Sequence, residues 1–184
     1  MMLLIVGTIV FFGIHLVPST PFKPRLVTGL GEKKYKMLFS LISLIGLGSI
    51  IYGFSLSDFV PLWDPLPWGR TLAFVSMPFA VIMMCAADIP NNIRRFVRHP
   101  MLIGLILWSG PHLAANGDLA SSILFLSFGV FALVDVYLVS KGGRYKPKQP
   151  VSFLWDIAVI LLGLVLYGLL MSFHGSFTGI PLIG

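Results

Sequence analysis

Four histidines, His15, His99, His112 and His174, are the whole imidazole content of this 184-residue chain. Imidazole is the side chain best suited to ligate a metal or move a proton near neutral pH. Two of them bracket an apolar stretch, RHPMLIGLILWSGPHLAANGD (98–118), in which His112 directly follows Pro111. On one straight helix His99 and His112 would stand about 20 Å apart along the axis and roughly 140° apart around it. They cannot share an iron. Zinc signatures such as HExxH or paired CxxC are missing, and the single Cys85, set in an apolar run, excludes an internal disulfide. No glycine-rich phosphate loop, no nucleophile–base–orienter set and no paired carboxylates can be read. The chemistry therefore rests on the histidines and on the elements that position them.

Those elements are dictated by composition. Hydrophobic residues make up 57% of the chain and charged residues only 11%, with a mean hydropathy of +0.92. A water-soluble domain carries about 25% charged residues. The chain must lie in a membrane. Apolar runs fall at 1–17, 37–57, 69–88, 101–115, 119–139 and 154–173, against the roughly 20 residues that span a bilayer as a helix. The 101–115 run is short and contains Pro111, so it is either a kinked span or a re-entrant segment packed in the bundle.

Charge separates these options. Lys23, Arg25, Lys33, Lys34 and Lys36 lie between the first two runs, Arg94, Arg95 and Arg98 between the third and fourth, and Lys141, Arg144, Lys146 and Lys148 between the fifth and sixth. The other two connections carry Asp58, Asp64 and Asp118 without a lysine or arginine. That alternation is what the positive-inside rule gives for six spans with both termini outside. The expected fold is an all-α integral membrane bundle of about six helices, one domain over 1–184, with its first helix retained rather than cleaved. The net charge of +6 flanks membrane-spanning ends, so inner-leaflet lipids are the expected partners, and nucleic acid is not.

Depth then sorts the histidines. With Met1 at the outer boundary, His15 lies about 20 Å down, and His112 about 10–14 Å below the same boundary. A bis-histidine pair from the first and fourth helices is feasible, though the spacing does not require it. The plain alternative for both is interhelical hydrogen bonding. His99 sits among arginines at the inner surface, and His174 reads as an outer-interface residue. Asn116 and Asp118 read as a turn with Asp118 capping the next helix. Asp88, Asp135 and Asp156 lie near inner helix ends, within reach of basic partners. Trp63 and Trp68 read as aromatic anchors at the headgroup level, residues 19–24 as a stiff entry to an interfacial loop, 31–36 as the lead into the second helix, and 140–150 as a flexible inner linker.

The stretches GIHLVP (13–18), GEKKYKMLFSLISL (31–44), RHP (98–100) and HLAANGD (112–118) together resemble the NnrU family, over essentially the whole chain. The family is bacterial and inner-membrane, and it takes its name from genes linked to nitrite and nitric oxide reduction. Its plant relatives are similar to 15-cis-zeta-carotene isomerase, a membrane enzyme that uses haem b. The resemblance implies haem b held at its iron by His15 and His112, with His99 and Arg98 holding propionates or a headgroup at the inner face. It implies a redox or accessory role in denitrification or, on the isomerase branch, cis–trans isomerisation of a lipophilic polyene. The chain departs from that branch at Ser109, where the isomerases carry a cysteine. The departure bears on isomerisation more than on haem.

The segment RFVRHPMLIG (95–104) also resembles the Arg-His-Pro motif of isoprenylcysteine carboxyl methyltransferases, which bind S-adenosylmethionine. Met101 and Leu102 replace the serine–tyrosine pair usual there. Three readings thus stand: a haem protein of redox or accessory role, a cofactor-dependent membrane enzyme, and a structural membrane protein whose histidines only join helices.

Overall fold

The computed structural model describes residues 1–141, 149–179 and 181–182. Arg144, Lys146 and Lys148, and with them most of the expected inner linker, lie outside the described residues. The described chain is all helix apart from its connections: α1 (Met2–Leu16), a 3-10 turn (Val17–Ser19), α2 (Phe22–Leu30), α3 (Glu32–Ser55), α4 (Gly69–Ala86), α5 (Ile93–Phe96), α6 (Pro100–Ala115), α7 (Leu119–Lys141) and α8 (Phe153–Thr178). No regular strand occurs among these residues. A lone bridge, Pro61 to Asp118, ties the loop after α3 to the start of α7.

Five helices are long and apolar enough to cross a bilayer: Met2–Ser19, Glu32–Ser55, Gly69–Ala86, Leu119–Lys141 and Phe153–Ser176. The sixth apolar helix, Pro100–Ala115, has 16 residues, about 24 Å at the helical rise. The spanning helices are apolar on their outward faces too. Leu44 of α3 is 67% exposed and Val165 of α8 60%, which suits hydrocarbon rather than water. The protein is a multi-pass, all-α membrane protein.

The chain divides into two compact units, Met1–Asp64 with Gly117–Ser127, and Pro65–Asn116 with Phe128–Gly184. In the first, α1 and α3 run antiparallel at backbone contact. A Cβ on Gly46 would meet the Phe11 backbone nitrogen at 2.9 Å, one on Gly7 would meet Ile50 N at 2.8 Å, and one on Gly53 would strike Leu4 N. Apolar attraction cannot drive helices together in lipid, so such small residues set the approach and van der Waals contact supplies the energy. In the second unit α4 packs against α6 and α8. A Cβ on Gly104 would lie 2.8 Å from Ala80 O, and one on Gly163 would lie 2.6 Å from Ile82 Cγ1.

One element departs from expectation. Residues 22–30 form a helix where an interfacial loop was expected, although Pro18, Pro21 and Pro24 punctuate the region. Pro18 stands in the first residues of the 3-10 turn and Pro21 is the N-cap of α2. Pro24 falls in the first turn of α2, where an amide has no intrahelical partner to lose. Phe22, Leu26 and Leu30 then form an exposed apolar stripe at four-residue spacing, beside Lys23 and Arg25. That is the pattern of a helix lying in the headgroup layer.

Gly46 and Gly48 provide a paired test of the α1–α3 contact, because a Cβ on Gly48 meets nothing within 4 Å. Both alanine variants gain about the same intrinsic helix propensity. Gly46→Ala should nonetheless be destabilised relative to Gly48→Ala by about 1–3 kcal/mol through overpacking. Thermal unfolding midpoints of the two variants in detergent measure this directly, and equal midpoints would refute the close approach.

Candidate functional site

His15 and His112 are built alike. His15 Nδ1 donates to the carbonyl of Phe11 at 2.7 Å, and His112 Nδ1 donates to that of Trp108 at 2.8 Å. Each bond spans one helical turn. In each case the carbonyl belongs to an aromatic residue whose ring lies against the imidazole, at 4.2 Å for Phe11 and 5.6 Å for Trp108. A carbonyl oxygen can only accept, so Nδ1 carries the proton in both rings. In the neutral imidazole the lone pair then belongs to Nε2, the nitrogen farther from the helix. Ligating histidines are set up in this way, with one ring nitrogen donating to a fixed acceptor and the other presented to the metal.

The surroundings are aromatic. Phe39 of α3 meets the His15 ring edge-on at 5.2 Å, and Tyr35 lies 6.3 Å from Phe39. In the second unit Phe128 of α7 meets Trp108 edge-on at 5.3 Å. Ser109 of α6 is buried, 2% exposed. Its hydroxyl faces Gly129 of α7, where an added Cβ would lie 3.0 Å from Ser109 Oγ. His174 of α8, read as an outer-interface residue, has its Nδ1 3.0 Å from Thr178 Oγ1.

The HLAANGD stretch (112–118) joins α6 to α7. Asn116 Nδ2 donates to the His112 carbonyl at 2.8 Å, satisfying an end carbonyl of α6, and Asp118 Oδ1 accepts from Ser121 N at 2.9 Å, capping α7. Gly117 O accepts from the amides of Leu62 and Trp63 at 2.7 and 3.1 Å. The turn-and-cap expectation for Asn116 and Asp118 holds.

Arg98 and His99 come together at the far end of α6. Arg98 Nη2 donates to the Ser140 carbonyl at 3.4 Å, and His99 Nε2 lies 3.4 Å from Ser140 Oγ. Nearby, α5 presents Phe96, 83% exposed, with the Arg95 guanidinium over its ring at 5.9 Å. Asp156 was expected to find a basic partner. Among the described residues it is instead gripped by Asn92, whose backbone N and Nδ2 donate to Oδ1 and Oδ2 at 2.7 and 2.6 Å. The same amide side chain donates to Val151 O and accepts from Val151 N, so one asparagine locks the start of α8 to the loop after α4. No group of three or more histidine, cysteine or acidic side chains gathers as a metal site among the described residues.

Residues 3–182 match the family model described as NnrU protein. The chain belongs to the NnrU family. No curated protein and no solved structure matches it. For an NnrU protein the sequence resemblance singled out His15 and His112, and these two share one local geometry. In sequence the two share an aromatic residue four positions before the histidine, FxxxH at 11–15 and WxxxH at 108–112, which marks the ring contact but not the proton.

Two measurements probe this scaffold. Asn92→Ala removes a bond to a carboxylate and strands the Val151 amide, which should cost about 2–3 kcal/mol and lower the unfolding midpoint, and Asn92→Asp should cost more through carboxylate repulsion. An unchanged midpoint would dissolve the lock. Burial, aided by the Arg98 guanidinium and opposed by Asp135, holds the His99 imidazole below its usual pKa of 6.5. The unfolded chain then takes up the proton first as pH falls, so stability drops below about pH 6.5. His99→Gln should flatten unfolding midpoints recorded between pH 7 and 5.

Proposed function

We propose that this NnrU-family protein binds haem b within the membrane, with His15 and His112 each offering Nε2 as an iron ligand. Its role is redox or accessory, in nitrite and nitric oxide metabolism at the bacterial inner membrane. The observation that carries the reading is the shared tautomer. Two imidazoles on different helices both commit Nδ1–H to a backbone carbonyl, which leaves the lone pair on the outward nitrogen.

The donor set fits the group. Haem iron is commonly held by neutral imidazole, and the macrocycle prefers apolar, aromatic walls; Phe11 and Phe39 beside His15 are of that kind, and so, within the other unit, is Trp108 beside His112. When bound, haem supplies one-electron redox chemistry. The protein's share is to fix the two rings, to hold their protons on Nδ1 and to exclude water. Arg98 and His99 stand about 20 Å along α6 from His112, which suits them to anionic lipid headgroups at the inner face rather than to the iron or to propionates beside it. The nitrogen-oxide context comes from the family. A lipophilic molecule reaching the site from the bilayer is the natural substrate class should the protein prove to be an enzyme.

The test is a visible spectrum of the detergent-purified protein, oxidised and dithionite-reduced, after expression with ample haem. A Soret band with sharp reduced α and β bands is expected. His15→Ala and His112→Ala should each lower haem per chain several-fold. A flat spectrum that persists after haem reconstitution, or unchanged occupancy in both variants, would overturn the reading and leave the histidines as interhelical contacts.

A further inference from the structure

The chain itself does little to hold α2 (Phe22–Leu30). The helix has nine residues, and isolated helices shorter than about 12–15 residues are marginal even in favourable sequences. Its own sequence is not favourable, since Val27, Thr28 and Gly29 are weak helix formers. Pro21 at the N-cap offers no side-chain hydrogen bond to the first turn. Packing is what normally stabilises so short a helix, and here it is almost missing. Every residue of α2 except Val27 is exposed, and none is buried. The remaining stabilisation must come from whatever covers α2.

The exposed surface identifies the cover. At 100° per residue, Phe22, Leu26 and Leu30 fall within a sector of about 80°. Lys23 projects about 60° to one side of the midline of that stripe, and Arg25 about 100° to the other. Pro24 and Thr28 take the opposite face. An apolar stripe edged on both sides by cations suits a lipid surface, where the stripe enters the acyl boundary. The long basic side chains then lie along the apolar layer and carry their charges to the headgroups. Between Val17 and Gly31 the sequence has no acidic residue. The next acid, Glu32, is taken up by Lys36 at 2.7 Å, and among the described residues neither Lys23 nor Arg25 forms an ion pair. Their counter-charge has to be supplied from outside. Because α2 joins two membrane-spanning helices, Met2–Ser19 and Glu32–Ser55, a lipid surface is already at hand.

We propose that α2 is a helix whose formation depends on anionic lipid. On a negatively charged leaflet Phe22, Leu26 and Leu30 enter the acyl boundary while Lys23 and Arg25 meet the headgroups. On a neutral leaflet the helix frays. Two basic residues near an anionic surface together favour the bound helix about 30-fold, equivalent to about 2 kcal/mol. No cofactor is involved, so the proposal stands apart from the haem reading.

The test places the full chain, one copy per disc, in lipid nanodiscs of phosphatidylcholine alone or with phosphatidylglycerol added. Amide hydrogen exchange is then followed by mass spectrometry. Amides 26–31 should exchange about 30-fold more slowly when phosphatidylglycerol is present. The double variant Lys23→Gln, Arg25→Gln should lose that dependence on lipid, and Leu26→Ser should exchange fast in both lipids. The part of α3 around Gly46, where α1 packs, should exchange alike throughout, which shows that each variant is folded. Equal protection of α2 in the two lipids would overturn the proposal and assign the helix to the chain or to apolar contact alone. Lipid dependence that survives in the double variant would overturn the role of the two cations. Protection confined to discs holding two copies would overturn the lipid as the cover and assign the stripe to a second copy of the chain.

Discussion

A polar group placed among apolar helices must find its hydrogen-bond partner inside the chain, because hydrocarbon offers none. The built features of this protein are answers to that demand. His15 and His112 meet it with the carbonyl one turn back on their own helices. Asn91, 2% exposed, donates to the carbonyls of Ala86 and Ile89 and accepts from Arg94 N. Asn92 and Asp156 answer each other. Thr8, buried in α1, turns back onto Leu4 O at 2.7 Å.

The same solvent removes the usual force for helix association, and the glycines replace it. Gly7, Gly46 and Gly53 bring α1 and α3 to backbone contact, and Gly104 and Gly163 do the same for α4 against α6 and α8. Close backbones leave little room for side chains at the contact, so large residues collect above and below it. Phe39 and Tyr35 stand on α3 beyond the glycine seam, at the level where α1 ends in His15. The aromatic surroundings of the histidine are thus a consequence of where the glycines stop.

Much of the architecture was legible because the membrane imposes long apolar runs that composition alone reveals. The five long helices fall where those runs do. The family was legible too, since its motifs carry unusual combinations such as histidine after proline. Helix α2 was not, because proline is read as a breaker and only its place in the first turn makes it harmless. Asp156 was matched to a basic residue on charge alone, whereas Asn92 gives its carboxylate two bonds and makes two more with the Val151 backbone, which charge counting does not see. The tautomers of His15 and His112 depend on which carbonyl each ring reaches, which leaves no trace in residue type.

The carbonyls that receive the two imidazole protons belong to the main chain. Any residue placed at position 11 or 108 presents the same acceptor, provided the helix persists, so the aromatic rings there can drift in identity without disturbing the proton. A histidine oriented by an aspartate would lose its tautomer with a single substitution. Here the protonation state is written into helical geometry rather than into a side chain, and it is correspondingly robust to mutation.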